Sequence, residues 1–468
     1  MTLNNAPSLT SLPREIFDSI VCEIQDRADI SCLSRTSKAI RSLTAELVFE
    51  NVTMLWTGND KVKMQNAHAI QKAEIDLQCV GYRIFTPSGN KPKLPPPPDT
   101  YEYRSLILAA MRRIGLDQSR LSKAFRAGLE TNEFDIVVGL LILLCPNVIS
   151  ITLGLNVLAC NKVLKFILHG YALPTECTGR VSRLQHLKDI RLGTSFEYVR
   201  SNILVSWPRN TQDWILDLKS YLTLFYLPEL KQAQISLPLL KRSGVQSELE
   251  WPAESPSYSA LQVLRLPDST LPPNHLHYCL EYTPFVTHLE YEFKMWSYDK
   301  LQAHDLASAL GCIKDSLRHF KFAHDHWSSE DPLIGGRGDL EDDYEYVIGH
   351  CSLKELTALE TVTIPACVLL GWLNRNCPAL ASVLPQNLVS IGLADDLQWF
   401  DTCEKDKEDL MPSIQRFVGE ENWRESVPRL EQFNFGYSEW EGKDETVALF
   451  EENGLKCQFT SPETDCGY

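Results

Sequence analysis

A short apolar pattern that recurs along most of the chain constrains its fold more than any other feature of the sequence. The pattern is apolar-x-x-apolar-x-apolar, and its nine copies end at Leu153, Leu192, Ile235, Leu266, Tyr291, Phe322, Ile364, Leu393 and Phe435. The intervals between these positions are 39, 43, 31, 25, 31, 42, 29 and 42 residues. One apolar triplet is common, but nine copies over roughly 290 residues are hard to obtain by chance. The pattern therefore predicts a repeated structural unit.

Each copy predicts a short strand, and the residues between copies predict a return made of helix or loop. Such a unit has an apolar face that only its neighbours can cover, so successive units are expected to stack. The intervals mostly exceed the roughly 20–29 residues of regular repeats, which predicts an irregular array. We expect an α/β fold in which a mostly parallel, curved sheet carries helices on its convex side. The alternative is a non-repetitive α/β domain with ordinary buried strands.

The length and composition of the chain fit a soluble globular protein of several domains. At about 100–200 residues per domain, the 468 residues allow two or three domains. Hydrophobic residues make up 44% and charged residues 23%, which are ordinary values. These values exclude wholesale disorder, a collagen-like repeat and a small disulfide scaffold.

One apolar stretch, residues 136–155, is long enough to be tested as a membrane span. Its 20 residues, IVVGLLILLCPNVISITLGL, carry no charge. However, Cys145, Pro146 and Asn147 interrupt it, and its second half alternates with β-branched side chains. A helix, a turn and a strand are therefore predicted, and no membrane segment is expected. The N-terminus lacks the basic region and apolar core of a signal peptide.

The N-terminal residues 9–55 have the pattern of a compact helical unit. Pro13 suits a first helical turn, Asp29 can cap a second helix, and apolar residues recur between them at helical spacing. A unit of about 45 residues is near the lower size limit for independent stability, so its remaining apolar surface predicts a partner. We expect residues 56–130 to be a linker with a proline-rich loop and helices, and residues 131–468 to hold the repeats.

The charge of the chain is concentrated at its C-terminal end. The formal net charge is −16. Residues 339–468 contain 26 acidic and 9 basic residues, whereas the preceding 338 residues contain 35 acidic and 36 basic residues. An acidic region repels a phosphate backbone, and no basic stripe elsewhere compensates, so nucleic acid is not an expected partner. A protein target with a basic surface is expected instead.

The sequence lacks the motifs of an enzyme or a metal protein. It contains no phosphate-binding loop, no nucleophile elbow and no zinc-protease motif, and none of its 14 cysteines forms a C-x-x-C pair. The cysteines at 145, 160, 312 and 367 fall in apolar runs, which indicates reduced thiols and a cytoplasmic or nuclear location. We interpret His324-Asp325-His326 as polar residues in a loop after a strand, and we expect no catalytic residue, cofactor or metal.

Two further features of the repeat region concern loops and partners. The acidic residues of 330–346, among them Asp342, Asp343 and Glu345, lack calcium-loop spacing and predict a solvated loop. Trp296 and Trp327 directly follow strand motifs and are expected near the rim of the array, where tryptophan can serve as an interaction hot spot.

The N-terminal unit resembles the F-box. The matching residues are Leu12, Pro13, Glu15, Ile16, Ile20, Asp29, Ile30, Leu33, Ser37, Lys38, Arg41, Leu47, Phe49 and Val52. Together with the downstream pattern, which is similar to irregular leucine-rich repeats, the chain resembles the F-box/leucine-rich-repeat family of eukaryotes.

The resemblance implies a substrate-recruiting subunit of a Skp-cullin-F-box ubiquitin ligase. It implies that the F-box binds a Skp-type adaptor, and through it a cullin, while the repeats hold a protein target. The adaptor-binding residues expected from it are Leu12, Pro13, Ile16, Ile20, Ile30 and Leu33. The alternative is a repeat scaffold with no ligase role, in which the F-box-like unit only caps the array. A hydrolase on an α/β fold has no motif to support it.

Overall fold

The computed structural model divides the chain into two compact units, Met1–Leu216 and Asp217–Tyr468. The structure describes residues 51–56, 72–77, 100–113, 120–130, 135–145, 147–153, 184–192, 218–237, 250–257, 259–296, 300–327, 347–371, 378–394, 412–419, 423–436 and 442–459. The division at residue 216 falls inside the predicted repeat region 131–468, and copies of the motif lie on both sides of it.

The described residues of the first unit form four neighbouring parallel strands and three helices. The strands, in the order of their pairing, are β1 (Asn51–Trp56), β2 (Lys72–Leu77), β3 (Ser150–Leu153) and β4 (Asp189–Leu192). The helices, all between β2 and β3, are α1 (Thr100–Arg113), α2 (Arg120–Glu130) and α3 (Asp135–Leu144). These three helices contact one another.

The apolar stretch 136–155 forms a helix, a turn and a strand, as predicted. Helix α3 ends at Leu144, and the turn is closed by the amide of Val148, which donates to the carbonyl of Cys145 (3.2 Å). Strand β3 follows at once. Ile136, Val138 and Leu140 are buried, so the apolar residues of α3 serve the core of the unit. No helix in the described part of the chain has both the length and the apolar character to cross a membrane.

The second unit is built on eight neighbouring parallel strands. In pairing order they are β5 (Gln232–Ile235), β6 (Val263–Ser269), β7 (His288–Trp296), β9 (His319–Trp327), β11 (Thr361–Pro365), β12 (Ser390–Ala394), β13 (Gln432–Phe435) and β14 (Lys456–Phe459). A separate pair of two-residue strands consists of β8 (Leu301–Gln302) and β10 (Val347–Ile348).

Helices occupy the returns between these strands. They are α4 (Leu218–Leu222), α5 (Pro273–Leu280), α6 (Ala303–Gly311), α7 (Ala366–Leu370), α8 (Leu380–Val383), α9 (residues 412–419), α10 (Trp423–Ser426) and α11 (Lys443–Glu452), with a 3₁₀ turn at Thr223–Tyr226. Parallel neighbours require such crossovers, because a tight turn can join only antiparallel strands. The predicted α/β class is therefore confirmed.

The nine motif copies lie on strands, and neighbouring copies are aligned with one another. In the second unit the middle motif positions form one continuous row of register partners: Ala233, Leu264, Leu289, Phe320, Val362, Ile391 and Phe433. In the first unit Ile151 pairs with Ile190, and Leu153 with Leu192. All of these side chains are buried. The apolar rows supply the core between the sheet and its returns.

A hydrogen-bond pattern at the start of the strands repeats with the motif. The carbonyl of Gln262 accepts from the amides of both Thr287 (2.8 Å) and His288 (3.1 Å) in the next strand. The carbonyls of Thr287 and Arg318 accept a pair of successive amides in the same way. Equivalent paired bonds occur at the carbonyls of Ile149, Lys231, Glu360 and Val389. The units therefore share backbone geometry despite their unequal lengths.

Two predictions from the sequence need correction. Val52, assigned to the end of the helical unit, lies in strand β1, whose residues NVTMLW are rich in strand-favouring types. His324 lies within β9 and not in a loop after it, because β9 pairs with β7 as far as Trp327. Strands β2 and β14 were not predicted, since neither has a copy of the motif.

Candidate interaction surface

Along the eight neighbouring strands of the second unit, the residues that alternate with the buried motif positions form a second face. Side chains on a strand point to opposite faces in turn, so the residues between the buried motif positions share the other face. We call this face the open face, and its described residues are Gln232, Gln234, Val263, Arg265, His288, Glu290, Glu292, Lys294, His319, Lys321, Ala323, Thr361, Thr363, Ser390, Gly392, Ala394, Gln432, Asn434, Lys456 and Gln458. Apart from Gly392, they are half-buried or exposed.

The open face is aligned across all eight strands. Its first row of register partners is Gln232, Val263, His288, His319, Thr361, Ser390, Gln432 and Lys456. Because neighbouring strands lie about 4.8 Å apart, this row spans about 34 Å. A surface of that width is large enough to contact a protein partner.

Charged residues of the open face are concentrated on β6, β7 and β9. Arg265 Nε lies 2.8 Å from Glu290 Oε1, and both side chains are about half-exposed. Lys321, on the other side of Glu290 in register, is exposed. Because this ion pair is open to solvent, it contributes at most about 1 kcal/mol to stability. Its groups remain accessible to a ligand.

Two histidines stack at the centre of the first row. The rings of His288 and His319, which are register partners, have centroids 4.1 Å apart and planes tilted by 31°. His319 Nδ1 lies 2.7 Å from Thr361 Oγ1, and His288 Nδ1 lies 2.9 Å from Thr287 Oγ1. The Thr287 hydroxyl donates to the Gln262 carbonyl (3.2 Å), so its oxygen accepts from the Nδ1–H of His288. The neutral His288 ring then keeps its lone pair on Nε2.

The surroundings of His288 hold its pKa below the usual value of a histidine. Burial is the largest cause, and the nearby charges of His319, Arg265 and Arg318 act in the same direction, against the opposing effect of Glu290. The imidazole is therefore neutral at physiological pH, and a new negative charge beside it would favour its protonation.

The open face of β11, β12 and β13 carries no charged side chain among its described residues. It presents hydroxyls, amides and a glycine instead: Thr361, Thr363, Ser390, Gly392, Gln432 and Asn434. Gln432 Nε2 donates to Asn434 Oδ1 (2.8 Å), and Asn434 Nδ2 lies 3.4 Å from Ser390 Oγ. This half of the open face can exchange hydrogen bonds with polar groups of a partner.

The described residues of the open face have a positive net charge, whereas the net charge of the whole chain is negative. These residues include four basic side chains (Arg265, Lys294, Lys321, Lys456) and two acidic ones (Glu290, Glu292), whereas the chain as a whole carries −16. Of the 26 acidic residues from position 339 onward, 8 lie in the described part of the chain, beside 6 of the 9 basic residues. The acidic excess therefore belongs mostly to residues outside the described part.

The six predicted adaptor-binding residues, Leu12, Pro13, Ile16, Ile20, Ile30 and Leu33, lie outside the described residues. So do the acidic residues Asp342, Asp343 and Glu345. The adaptor-binding function of the first six remains a prediction.

His324 and His277 occupy separate surroundings. His324 is buried on the core face, stacked 6.2 Å from Phe322. His277, in α5, lies with its Nδ1 3.3 Å from Cys312 Sγ. In the described part of the chain, no group of three or more histidine, cysteine or carboxylate side chains could hold a metal ion.

Three of the four cysteines in the predicted apolar runs are described, and two of them are buried. Cys145 and Cys367 are buried, and burial raises the pKa of the Cys145 thiol to about 12. Cys312 is half-buried and contacts His277, whereas Cys160 lies outside the described residues. Because its raised pKa keeps the Cys145 thiol protonated at neutral pH, this thiol is a poor nucleophile.

Two tryptophans of the described residues end strands, and one lies in an aromatic cluster. Trp296 and Trp327 are the last residues of β7 and β9 and are register partners. Trp251 is half-buried and makes edge contacts with Phe225, Tyr226 and Tyr282, with centroids 5.2 to 6.1 Å apart. The role of Trp296 and Trp327 as interaction hot spots remains a prediction.

The open-face residues were missed in the sequence, although the motif itself contains them. They occupy the x positions: Arg265 lies between Leu264 and Leu266, and Glu290 between Leu289 and Tyr291. Listing the residue between the last two apolar positions of every copy would have shown the second row of this surface. A single sequence does not show that these positions face solvent rather than a second layer.

Neither a scan against protein-family models nor a search among curated proteins finds a match to this sequence.

Proposed function

We propose that the protein recruits a target to a Skp-cullin-F-box ubiquitin ligase, with an F-box at residues 9–55 and an irregular leucine-rich-repeat array behind it. The F-box would dock the Skp-type adaptor through apolar side chains. The open face of the repeats would hold the target. The protein would then act by position, because holding the target near a charged ubiquitin carrier raises the local concentration of its lysines. No catalytic residue of its own is required.

The observation that carries the proposal is the alignment of the motif copies in a parallel sheet with one uncovered face. Repeat arrays of this kind use such extended faces to bind proteins. The open face offers charges, hydroxyls and amides over eight aligned strands. In this proposal residues 9–55, whose sequence has the F-box pattern, would supply the surface for the adaptor.

Replacing Leu12 and Pro13 with alanine tests the adaptor half of the proposal. We expect the double variant to lose Skp-type adaptor binding by about 2–4 kcal/mol, the scale of interface hot spots, while the repeats stay folded. Co-purification and calorimetric titration of the adaptor with the full chain measure the loss. Circular dichroism checks the fold.

The matched control is the double variant Leu3→Ala and Pro7→Ala, which removes the same residue types outside the F-box pattern. It should bind the adaptor as the unchanged protein does. Equal adaptor binding by the Leu12/Pro13 variant and the unchanged protein would contradict the proposal. An unchanged protein that binds no adaptor would instead favour the repeat scaffold without a ligase role.

A further inference from the structure

Five positively charged or protonatable side chains lie together on and beside the open face of β6, β7 and β9. We call them the histidine patch: Arg265, His288, Arg318, His319 and Lys321. Arg318 is the residue before β9, and its side chain is 59% exposed. The patch spans three strands, or about 10 Å at the usual strand spacing.

We propose that the histidine patch binds an acidic segment of the protein target. This inference rests on the proposed function, since it names the chemistry that the open face recognises. The patch is a locally positive area on a chain of net charge −16, and local charge of that sign complements carboxylates.

The local carboxylates do not neutralise the patch. Glu290 pairs with Arg265 at 2.8 Å, and Glu360 lies 3.8 Å from Arg318 Nη1. Without any contribution from the histidines, three cations then face two carboxylates. Protonation of either ring adds one further positive charge. Both ion pairs involve half-exposed side chains, so an incoming carboxylate can compete for their cations.

The histidine pair makes this recognition depend on pH. In the free protein the neighbouring His319, Arg265 and Arg318 disfavour the charge of His288, whose ring centroid lies 4.1 Å from that of His319. Glu290 acts in the opposite direction. A bound carboxylate would offset this repulsion, raise the pKa of His288 and favour a proton on its Nε2. Binding then takes up protons and becomes tighter as pH falls toward the histidine range.

A protein segment fits the patch better than a nucleic acid. The patch is short, whereas a nucleic acid repeats its negative charge every few ångströms along a strand. Such a polymer would extend over a chain of strongly negative net charge. A short acidic segment needs only the local positive area.

An octaglutamate peptide labelled with tetramethylrhodamine, whose charge does not change between pH 7.5 and 6.0, is a direct probe of the patch. Its side chains stay ionised between pH 7.5 and 6.0, so changes in binding over that range belong to the protein. We expect fluorescence anisotropy with the full chain at low salt to give a Kd that falls about 5- to 10-fold from pH 7.5 to 6.0. This change in Kd is smaller than the maximum for uptake of one proton, which is about tenfold per pH unit.

The double variant His288→Gln and His319→Gln should bind octaglutamate several-fold more weakly at pH 6.0 and lose the pH dependence. Lys321→Gln, a change of an exposed residue, should weaken binding similarly at both pH values and keep the pH dependence. His304→Gln is the matched control, because His304 is an exposed residue of α6 outside the patch. It should leave the Kd and its pH dependence unchanged.

Octaglutamate binding that is equal at both pH values, or equal in the His288/His319 variant, would overturn the inference. Preference for polyuridylate over octaglutamate would also overturn it. Thermal unfolding of each variant shows whether the fold is kept, and Lys321→Gln keeps the test decisive if the histidine variant unfolds. Adaptor co-purification is measured on the same samples, so failure of the patch and failure of the ligase role are separate results.

Discussion

At the scale of single residues, Gly392 is the most crowded position of the open face. A Cβ atom at this position would lie 2.9 Å from Thr363 Oγ1 and 3.3 Å from Thr363 Cγ2, on the neighbouring strand. Strands β11 and β12 pair with these two residues opposite each other. The Thr363 side chain therefore occupies the space beside Gly392 that the Cβ atom of a larger residue would need.

We expect Gly392→Ala to destabilise the protein by about 1–3 kcal/mol, the usual cost of overpacking. Thr363→Ala in the same chain removes the two nearest atoms and should restore much of the loss. Gly311→Ala is the control, because nothing lies within 4 Å of its added Cβ and alanine favours a helix by up to about 1 kcal/mol. Urea unfolding measures all three. An equal loss with and without Thr363 would show that the clash is not the cause.

At the scale of elements, the last described unit is held together by phenylalanines. Phe450 of α11 is fully buried and packs edge-on against Phe433 and Phe435 of β13, with centroids 5.1 and 6.0 Å apart. Phe435 also stacks on Phe459 of β14, at 4.8 Å. The helix and both strands thus depend on the same aromatic cluster.

We expect Phe450→Ala to cost about 3–5 kcal/mol locally, since it leaves a large cavity. Because a repeat contacts mainly its neighbours, the loss of protection should concentrate in β13 and β14 and spare β6 and β7. Hydrogen exchange followed by mass spectrometry measures this distribution. Leu449→Ala, which changes the half-buried neighbour on the same helix, should have a much smaller effect. Uniform loss of protection along the chain would contradict a stack of semi-independent units.

At the scale of the whole molecule, two charge features lie in different parts of the chain. The histidine patch is locally positive, whereas the 26 acidic and 9 basic residues from position 339 onward give the C-terminal quarter its negative charge. In our proposal the patch contacts a bound segment. The acidic quarter can instead affect how fast a partner approaches, because at physiological salt charges still act over roughly 8–10 Å before they are screened.

We expect a basic partner to associate faster with the acidic quarter at low salt. With octalysine as the probe, the association rate should fall as sodium chloride rises, and it should fall further when Asp342, Asp343 and Glu345 are changed to lysine. Adaptor binding, which is apolar, should barely respond to salt. Stopped-flow fluorescence measures the rate. An association rate indifferent to both salt and the charge reversal would leave the acidic residues with a role in solubility alone.

The sequence alone predicted the periodic part of the fold. The apolar motif identified a strand at every copy, because alternate apolar residues can be buried only on one face of a sheet. It also predicted that residues 136–155 form a helix, a turn and a strand, since Pro146 interrupts the apolar run. Strand β14 has no copy of the motif and became a strand by pairing with β13.

The tertiary structure alone decided which residues share a surface. Residues of one row, such as His288 and His319, are 31 positions apart in the chain, and only the register of the strands brings their rings to 4.1 Å. The length of β9 was decided in the same way, because pairing with β7 as far as Trp327 placed His324 inside the strand and on the core face. Local pattern determines which side of a strand is buried. Register and strand length depend on hydrogen bonds between distant segments, and no local pattern records them.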